Sequence, residues 1–371
     1  MNELIDVRDS HATIRWKLLT SASALALTAA VSSATIARAQ DADRPQLWIE
    51  LGGQLERLNN SEELFAPSFF AHSRASILAP MVDAQSPPTY GLSTDGKITF
   101  VPEDSNWIFS LELRYGRANG GKHLHHEEAV STATQVFPSK RNFLGDGLTN
   151  YRETHDTLDF QVGKDVGLGL FGSGSSSVIA AGVRMANFTS DPNIKLQGKP
   201  DVHNSTNFFQ KYNFRNRHSI SYTAILSGSR NTHAIGPSLS WNASVPLAGN
   251  GDHAALDFDW GINAAALFGR QKVQLHRRTS NYHYNISLSH YPVQYHTQST
   301  QTSDRNRSRN VMIPNVGGFA GFSFRYDDAK ISFGYRGDFF FGAMDGGIDT
   351  RKNETLGFNG PYASISVGLG D

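Results

Sequence analysis

Residues 106–118 read NWIFSLELRYGRA. Every second residue is large and apolar: Trp107, Phe109, Leu111, Leu113 and Tyr115. Between them stand Ile108, Ser110, Glu112, Arg114 and Gly116, mostly polar, small or charged. Side chains on a strand alternate between two faces, so this segment has one oily face and one wet face. Aromatic rings end the oily row and aliphatic residues fill its middle. Such a row suits a strand that crosses a bilayer, with rings at both interfaces and polar side chains turned to a water-filled interior.

The pattern recurs about ten times. Leu47, Ile49, Leu51 and Leu55 oppose Glu50, Gln54 and Glu56, and Ile98 and Phe100 flank the row of Lys97. Leu158, Phe160 and Val162 oppose Asp159 and Gln161, and Ile179, Ala181, Val183 and Met185 oppose Arg184. Residues 217–247 form one long strand or a bent pair, with Ile235, Leu239, Trp241, Ala243 and Val245 on one face. Leu256, Phe258, Trp260, Ile262 and Phe268 oppose Asp257, Asp259 and Asn263. Val316, Ala320, Phe322, Phe324 and Tyr326 oppose Arg325. Ile331, Phe333, Tyr335, Phe339 and Phe341 oppose Arg336 and Asp338, and Ala363, Ile365, Val367 and Leu369 close the series.

These segments predict an all-β chain, a transmembrane antiparallel up-and-down β-barrel of ten strands, with eight or twelve as alternatives. The connections after strands 1, 3, 5, 7 and 9 are expected as long loops on one side, among them 59–95 and the polar stretches 117–152, 189–216 and 270–310, and those after strands 2, 4, 6 and 8 are short. That asymmetry is the one expected of outer-membrane barrels, with short periplasmic turns and long external loops. Irregular backbone and open sheet edges do not face lipid, so the sheet must close. A secreted β-sandwich is the competing fold; it alternates too, but buries its oily faces against each other.

Residues 1–39 have the form of a signal peptide. Arg15 and Lys17 precede an uncharged run from Leu18 to Ala37, and Ala37-Arg38-Ala39 fits a cleavage site. The barrel is assigned to 40–371. No later stretch approaches the roughly 20 apolar residues that a spanning helix needs. The chain has no cysteine, which excludes disulfides, zinc-thiolate sites and thiol nucleophiles. Basic and acidic residues number 34 each, so no net charge draws nucleic acid. The expected setting is the outer membrane of a Gram-negative bacterium. Its lipid, its lipopolysaccharide and the barrel assembly machinery are the expected partners. The chain ends Leu369-Gly370-Asp371 and not on an aromatic residue, so the outward row of the last strand is the expected assembly signal.

Several strings resemble a known family. DGKITFVPEDSNWIFSLELRYGRA (95–118), AIGPSLSWNASVPLAG (234–249), NVGGFAGFSFRYDDAKISFGYRGDFFFGAMDGGIDTRK (315–352) and GPYASISVGLG (360–370) are similar to the Legionella-type pore-forming major outer-membrane proteins. The resemblance implies a pore-forming outer-membrane barrel and no catalytic residue.

The expected lining of the interior is Glu50, Lys97, Glu112, Arg114, Asp159, Arg184, Asp257, Asp259, Arg325, Arg336 and Asp338. Charges are costly in lipid and should turn inward and pair. Trp107, Tyr115, Trp241, Tyr326, Phe339 and Phe341 are the expected aromatic girdle. The function read from this set is passive diffusion of small hydrophilic solutes or ions, with no cofactor. The alternatives are a non-conducting structural or adhesive barrel, and a surface hydrolase built on rim acids such as Asp345 and Asp349. GAMDGGID, which holds both acids, reads more simply as a glycine turn. The cluster His123, His125, His126, Glu127 and Glu128 contains metal-ligating types but is placed on a solvated loop, so no metal is assigned. The oily stretch within 63–82 is a candidate for a loop folded into the lumen.

Overall fold

The structure is a computed structural model that describes residues 46–59, 90–102, 105–134, 137–166, 176–206, 215–250, 254–287, 293–348 and 350–369. The leader at 1–39, the oily stretch at 63–82 and Asp349 lie outside the described residues. Ten strands follow one another: β1 (Gln46–Asn59), β2 (Tyr90–Val101), β3 (Trp107–Thr134), β4 (Phe137–Asp165), β5 (Ser176–Thr206), β6 (Arg215–Asn250), β7 (Ala254–Ser287), β8 (Val293–Tyr326), β9 (Ala329–Asp345) and β10 (Asn353–Leu369). Each pairs antiparallel with the next, and β1 pairs with β10, so the sheet closes. Closure and the outward apolar rows rule out the sandwich.

Both ends of the closing pair, Leu47 and Leu369, lie at one rim of the barrel, with the last residues of β2, β4, β6 and β8 and the first residues of β3, β5, β7 and β9. We call this the lower rim. The β8–β9 turn is made by Asp327 and Asp328, with Asp327 at φ 48°.

The outward rows are apolar from the lower rim to a sharp limit. Tyr115 is followed by Arg117, Met185 by Asn187 and Phe268 by Arg270; on the descending strands Leu158 is preceded by Asp156, Ile235 by His233 and Met312 by Asn310. At about 3.3 Å per residue and a strand tilt near 40°, Trp107–Tyr115 and Leu256–Phe268 rise about 20 and about 30 Å. An apolar band of outer-membrane height is about 25 Å tall. The rings at 107, 326, 339 and 341 are exposed on the outer surface, and those at 115 and 241 half-exposed. Trp241 packs edge-on against Trp260 at 5.1 Å and donates its indole N–H to Ser177 Oγ at 2.9 Å.

The long polar loops are not loops. Residues 117–134, 189–206 and 270–287 continue β3, β5 and β7, and their return strands begin at Phe137, Arg215 and Val293. Pairing persists without a break from Trp107↔Lys164 to Thr134↔Phe137, and from Ala254↔Tyr326 to Ser287↔Val293. Polarity of the outer row marks the end of the apolar band, not the end of a ladder. Among the described residues, β8 pairs with β9 only below Asn315 and β3 with β2 only below Ala118. The tall part of the wall is therefore β3–β8, and the low part is β9, β10, β1 and β2.

Candidate functional site

The inward rows build two layers. The lower one is a cavity of about 300 Å³ that reaches the lower rim at Ile108, Ser176 and Lys330. Strand geometry sets its chemistry, because each outward apolar residue fixes an inward neighbour. Leu111 and Leu113 turn Glu112 inward, and Leu158 and Phe160 do the same for Asp159. Inward charges then meet across adjacent strands: Glu50 faces Lys97, Lys97 faces Glu112, Glu112 faces Asp159, and Asp159 faces Arg184.

The charges are held by one another. Arg114 donates to Asp338 at 2.6 Å and to Glu112 at 3.2 Å. Asp159 accepts from Nε of Arg184 at 2.7 and 3.0 Å. Arg184 also reaches Asn263 at 2.8 Å and bonds Asn315. Lys330 pairs with Asp259 at 2.8 Å. Arg336 lies 3.6 Å from Glu112 and 4.0 Å from Asp95, with its guanidinium 5.0 Å from the Tyr362 ring and 5.9 Å from Phe319. Gly317 leaves room for this network, since a β-carbon there would overlap the Asp338 carboxylate.

Eight of the eleven expected lining residues border the cavity: Glu50, Lys97, Glu112, Arg114, Asp159, Arg184, Asp259 and Arg336. Asp338 is buried beneath Arg114, while Asp257 and Arg325 lie on inward rows but not at the cavity wall. Asn263, read as inward from the sequence, also borders the cavity, as do Asp95, Lys330 and Tyr362, which were not singled out from the sequence.

The upper layer is apolar. Phe188, Phe340 and Phe358 meet inside the barrel, at 1, 2 and 4 % exposure. Phe188 and Phe340 stand edge-to-face at 4.8 Å, and Phe188 stacks on Phe358 at 6.1 Å. Leu58, Leu267, Ile313, Met344 and Leu356 pack around them. This septum sits level with the limit of the outer apolar band, because Leu267 adjoins Phe268 and Ile313 adjoins Met312. Beside it, with His155 in register with Phe188, Glu56 and His155 form a buried pair at 3.4 Å, and the His155 ring lies 3.8 Å from that of Phe358. A second apolar cluster lies higher: Ile194, Leu196, Leu226, Val273 and Leu275.

The end of β9 bends inward to roof this layer, with Met344 and Asp345 still paired to Glu354 and Asn353 of β10 across a register shift. Gly342 has φ +67°, a left-handed conformation that favours glycine. Beyond it Ala343 to Gly347 are buried inside the barrel. The tall strands hold this segment by its carbonyls. Thr232 donates to Ala343 O at 2.7 Å, Gln271 to Gly342 O at 2.8 Å and Arg230 to Gly346 O at 3.0 Å. Arg307 bonds Gly347 O, donates to Ile348 O at 3.1 Å and pairs with Asp345 at 3.2 Å. Asp345 accepts from the backbone N–H groups of Gly347 and Lys352, both at 3.1 Å. It shapes a turn and presents no free rim carboxylate.

The HLHHEE cluster lies on β3, not on a loop. His123 and His125 stand outward and exposed, 2.7 and 3.7 Å from Asp146. Among the described residues no three His, Cys, Asp or Glu side chains are grouped to hold a metal.

The fold and site define a class: a closed ten-stranded antiparallel barrel, oily outside, with a charged chamber beneath an apolar septum. No family model and no curated protein matches the chain. Among solved structures, the toluene transporter TodX of P. putida is similar at 9 % identity over 89 % of this chain and 91 % of its own, with a TM-score of 0.19. The transport unit of the autotransporter AIDA-I from Escherichia coli is similar at 6 % identity over 90 % of this chain and 92 % of its own, TM-score 0.16. CdiB from Acinetobacter baumannii is similar at 9 % identity over 89 % of this chain and 61 % of its own, TM-score 0.17.

Proposed function

We propose that this chain is an outer-membrane barrel that passes small hydrophilic solutes or ions by diffusion, through a lumen closed by a movable segment. The observation that carries the reading is the charged chamber inside the oily band. Buried ion pairs are often no more stabilising than apolar packing of the same volume. Their use here, around open space, suits a polar passenger. A volume of about 300 Å³ is at the small end of ligand cavities, which fits small solutes and not oligosaccharides. The resemblance of several strings to the Legionella-type major outer-membrane proteins points to the same reading.

The route outward runs past the septum, and residues 343–348 are the part able to move. They bend inward at a glycine hinge, keep only the short pairing of Met344 and Asp345 with Glu354 and Asn353, and are otherwise held by side chains of β6, β7 and β8. Arg307→Ala combined with Asp345→Ala removes the ion pair and two donors to carbonyls. In planar bilayers the double variant is expected to spend about tenfold more time conducting than the parent, equal to about 1.4 kcal/mol of lost closure. A second reading, a closed structural or adhesive barrel, is favoured by the tightness of the septum. Silence from both the folded parent and the variant would select it.

A further inference from the structure

Above the oily limit, the outer face of β7 is basic. Arg270, Lys272, His276 and Arg278 point outward and are exposed, with exposed His233 beside Arg270 on β6. Alternate residues on one strand face lie about 7 Å apart, so Arg270 and Lys272 form one charged step directly over Phe268. Arg270 donates to the neutral Ser308 at 2.7 Å. Asp304 is the acid on this face of β8, and it pairs with His276 at 2.5 Å. No ion pair engages Arg270, Lys272 or Arg278 among the described residues. The outer face of β4 and β5, two and three strands away, differs. There Arg152 faces Asp191 in register, and Asp156 accepts from Asn187 at 2.5 Å. Below the basic step lie Ile235, Phe268 and Met312, each about half exposed.

Fixed positive charge over exposed apolar residues, at the height where a bilayer ends, matches one chemistry: acyl chains beneath a phosphorylated headgroup. The tall strands rise on the side of the long connections, which is the outer leaflet if the short turns are periplasmic. We propose that this face of β6–β8 docks lipopolysaccharide. Arg270 and Lys272 would hold a phosphate of the lipid A headgroup, and the acyl chains would lie on Phe268, Ile235 and Met312. The inference rests on the outer-membrane reading.

The test uses the full mature barrel, refolded and stripped of lipid in detergent. Binding of bisphosphorylated lipid A is read by native mass spectrometry for the parent, for Arg270→Gln/Lys272→Gln, and for Arg57→Gln/Arg152→Gln. The last pair changes net charge equally, at outward positions on β1 and β4. The expected result is a loss of at least about tenfold in affinity for the β7 pair and less than about twofold for the other. Equal losses, or none, would overturn the site. Equally tight binding of phosphatidylglycerol or of dephosphorylated lipid A would overturn the commitment to lipopolysaccharide, and full competition by inorganic phosphate would reduce it to an anion site. If the parent barrel instead stays monodisperse without detergent, the outer-membrane reading fails first, and that result is separate from the charge comparison.

Discussion

Below the level of Tyr115, Leu158, Met185, Ile235, Phe268 and Met312 the barrel is oily outside and charged inside; above it the two chemistries change places. A single strand shows the exchange. On β7, Leu256, Phe258, Ile262 and Phe268 face out while Asp257, Asp259 and Asn263 face in. Further up, Arg270, Lys272 and Gln274 face out while Val273 and Leu275 are buried inside. β5 does the same, from Val183 and Met185 outside to Ile194 and Leu196 inside. The lesson is that alternation records the solvent on each side of a strand, not a fixed inside and outside. Where lipid covers the wall, an oily exterior is required and the lumen is left to polar groups. Where water covers the wall, burial of apolar area must come from within, as in a soluble β-protein. One continuous sheet meets both demands by shifting the parity of its apolar residues.

The comparison is broken most sharply at the septum. Phe188→Ala removes a buried ring from the contact of Phe188, Phe340 and Phe358 and is expected to cost about 3–5 kcal/mol. The urea midpoint of the barrel in lipid vesicles measures the loss, and a septum that is only a lining would show almost none. Next in size is a charge placed outward in the oily band. Phe160→Arg should destabilise by about 2–4 kcal/mol, the cost of a cation on a lipid-facing barrel position. At the small end, Gln274→Arg puts the same side chain outward on β7 above the limit, where the change should stay within about 0.5 kcal/mol. Equal effects at 160 and 274 would mean that both positions face the same solvent.

The closed barrel, its ten strands and its outward apolar rows were legible because one continuous apolar face keeps a strict period of two along each strand. The upper halves of β3–β8 were not, since the parity shift breaks the period that marks a strand and the outer row turns polar at once. Val273 and Leu275 do alternate with Lys272, Gln274 and His276, so a reader who allows the phase to slip would find the extension. The charged chamber was largely legible, because an acid or base between two outward apolar residues has one place to go. Its closure was not. Phe339, Phe340 and Phe341 are consecutive, and with the outer two exposed the middle ring must point inward. That run was the one local sign of the septum. Phe188 and Phe358 stand in polar surroundings, and their meeting with Phe340 depends on the register of three separate strands. The inward turn after Gly342 was visible only as a glycine turn, because its partners on β6, β7 and β8 are distant in sequence.

The most direct test of the exchange follows β7 residue by residue. The chain has no cysteine, so single cysteines can be placed from Phe258 to His276 and labelled with a nitroxide in barrels folded into vesicles. Collision rates with oxygen, which concentrates in lipid, and with a water-soluble nickel complex report which medium each label meets. Labels at 258, 260, 262 and 264 should collide with oxygen and not with nickel, labels at 272, 274 and 276 should do the reverse, and labels at 273 and 275 should be shielded from both. Free access of nickel to 260 and 262 would place water against the oily wall and contradict the account.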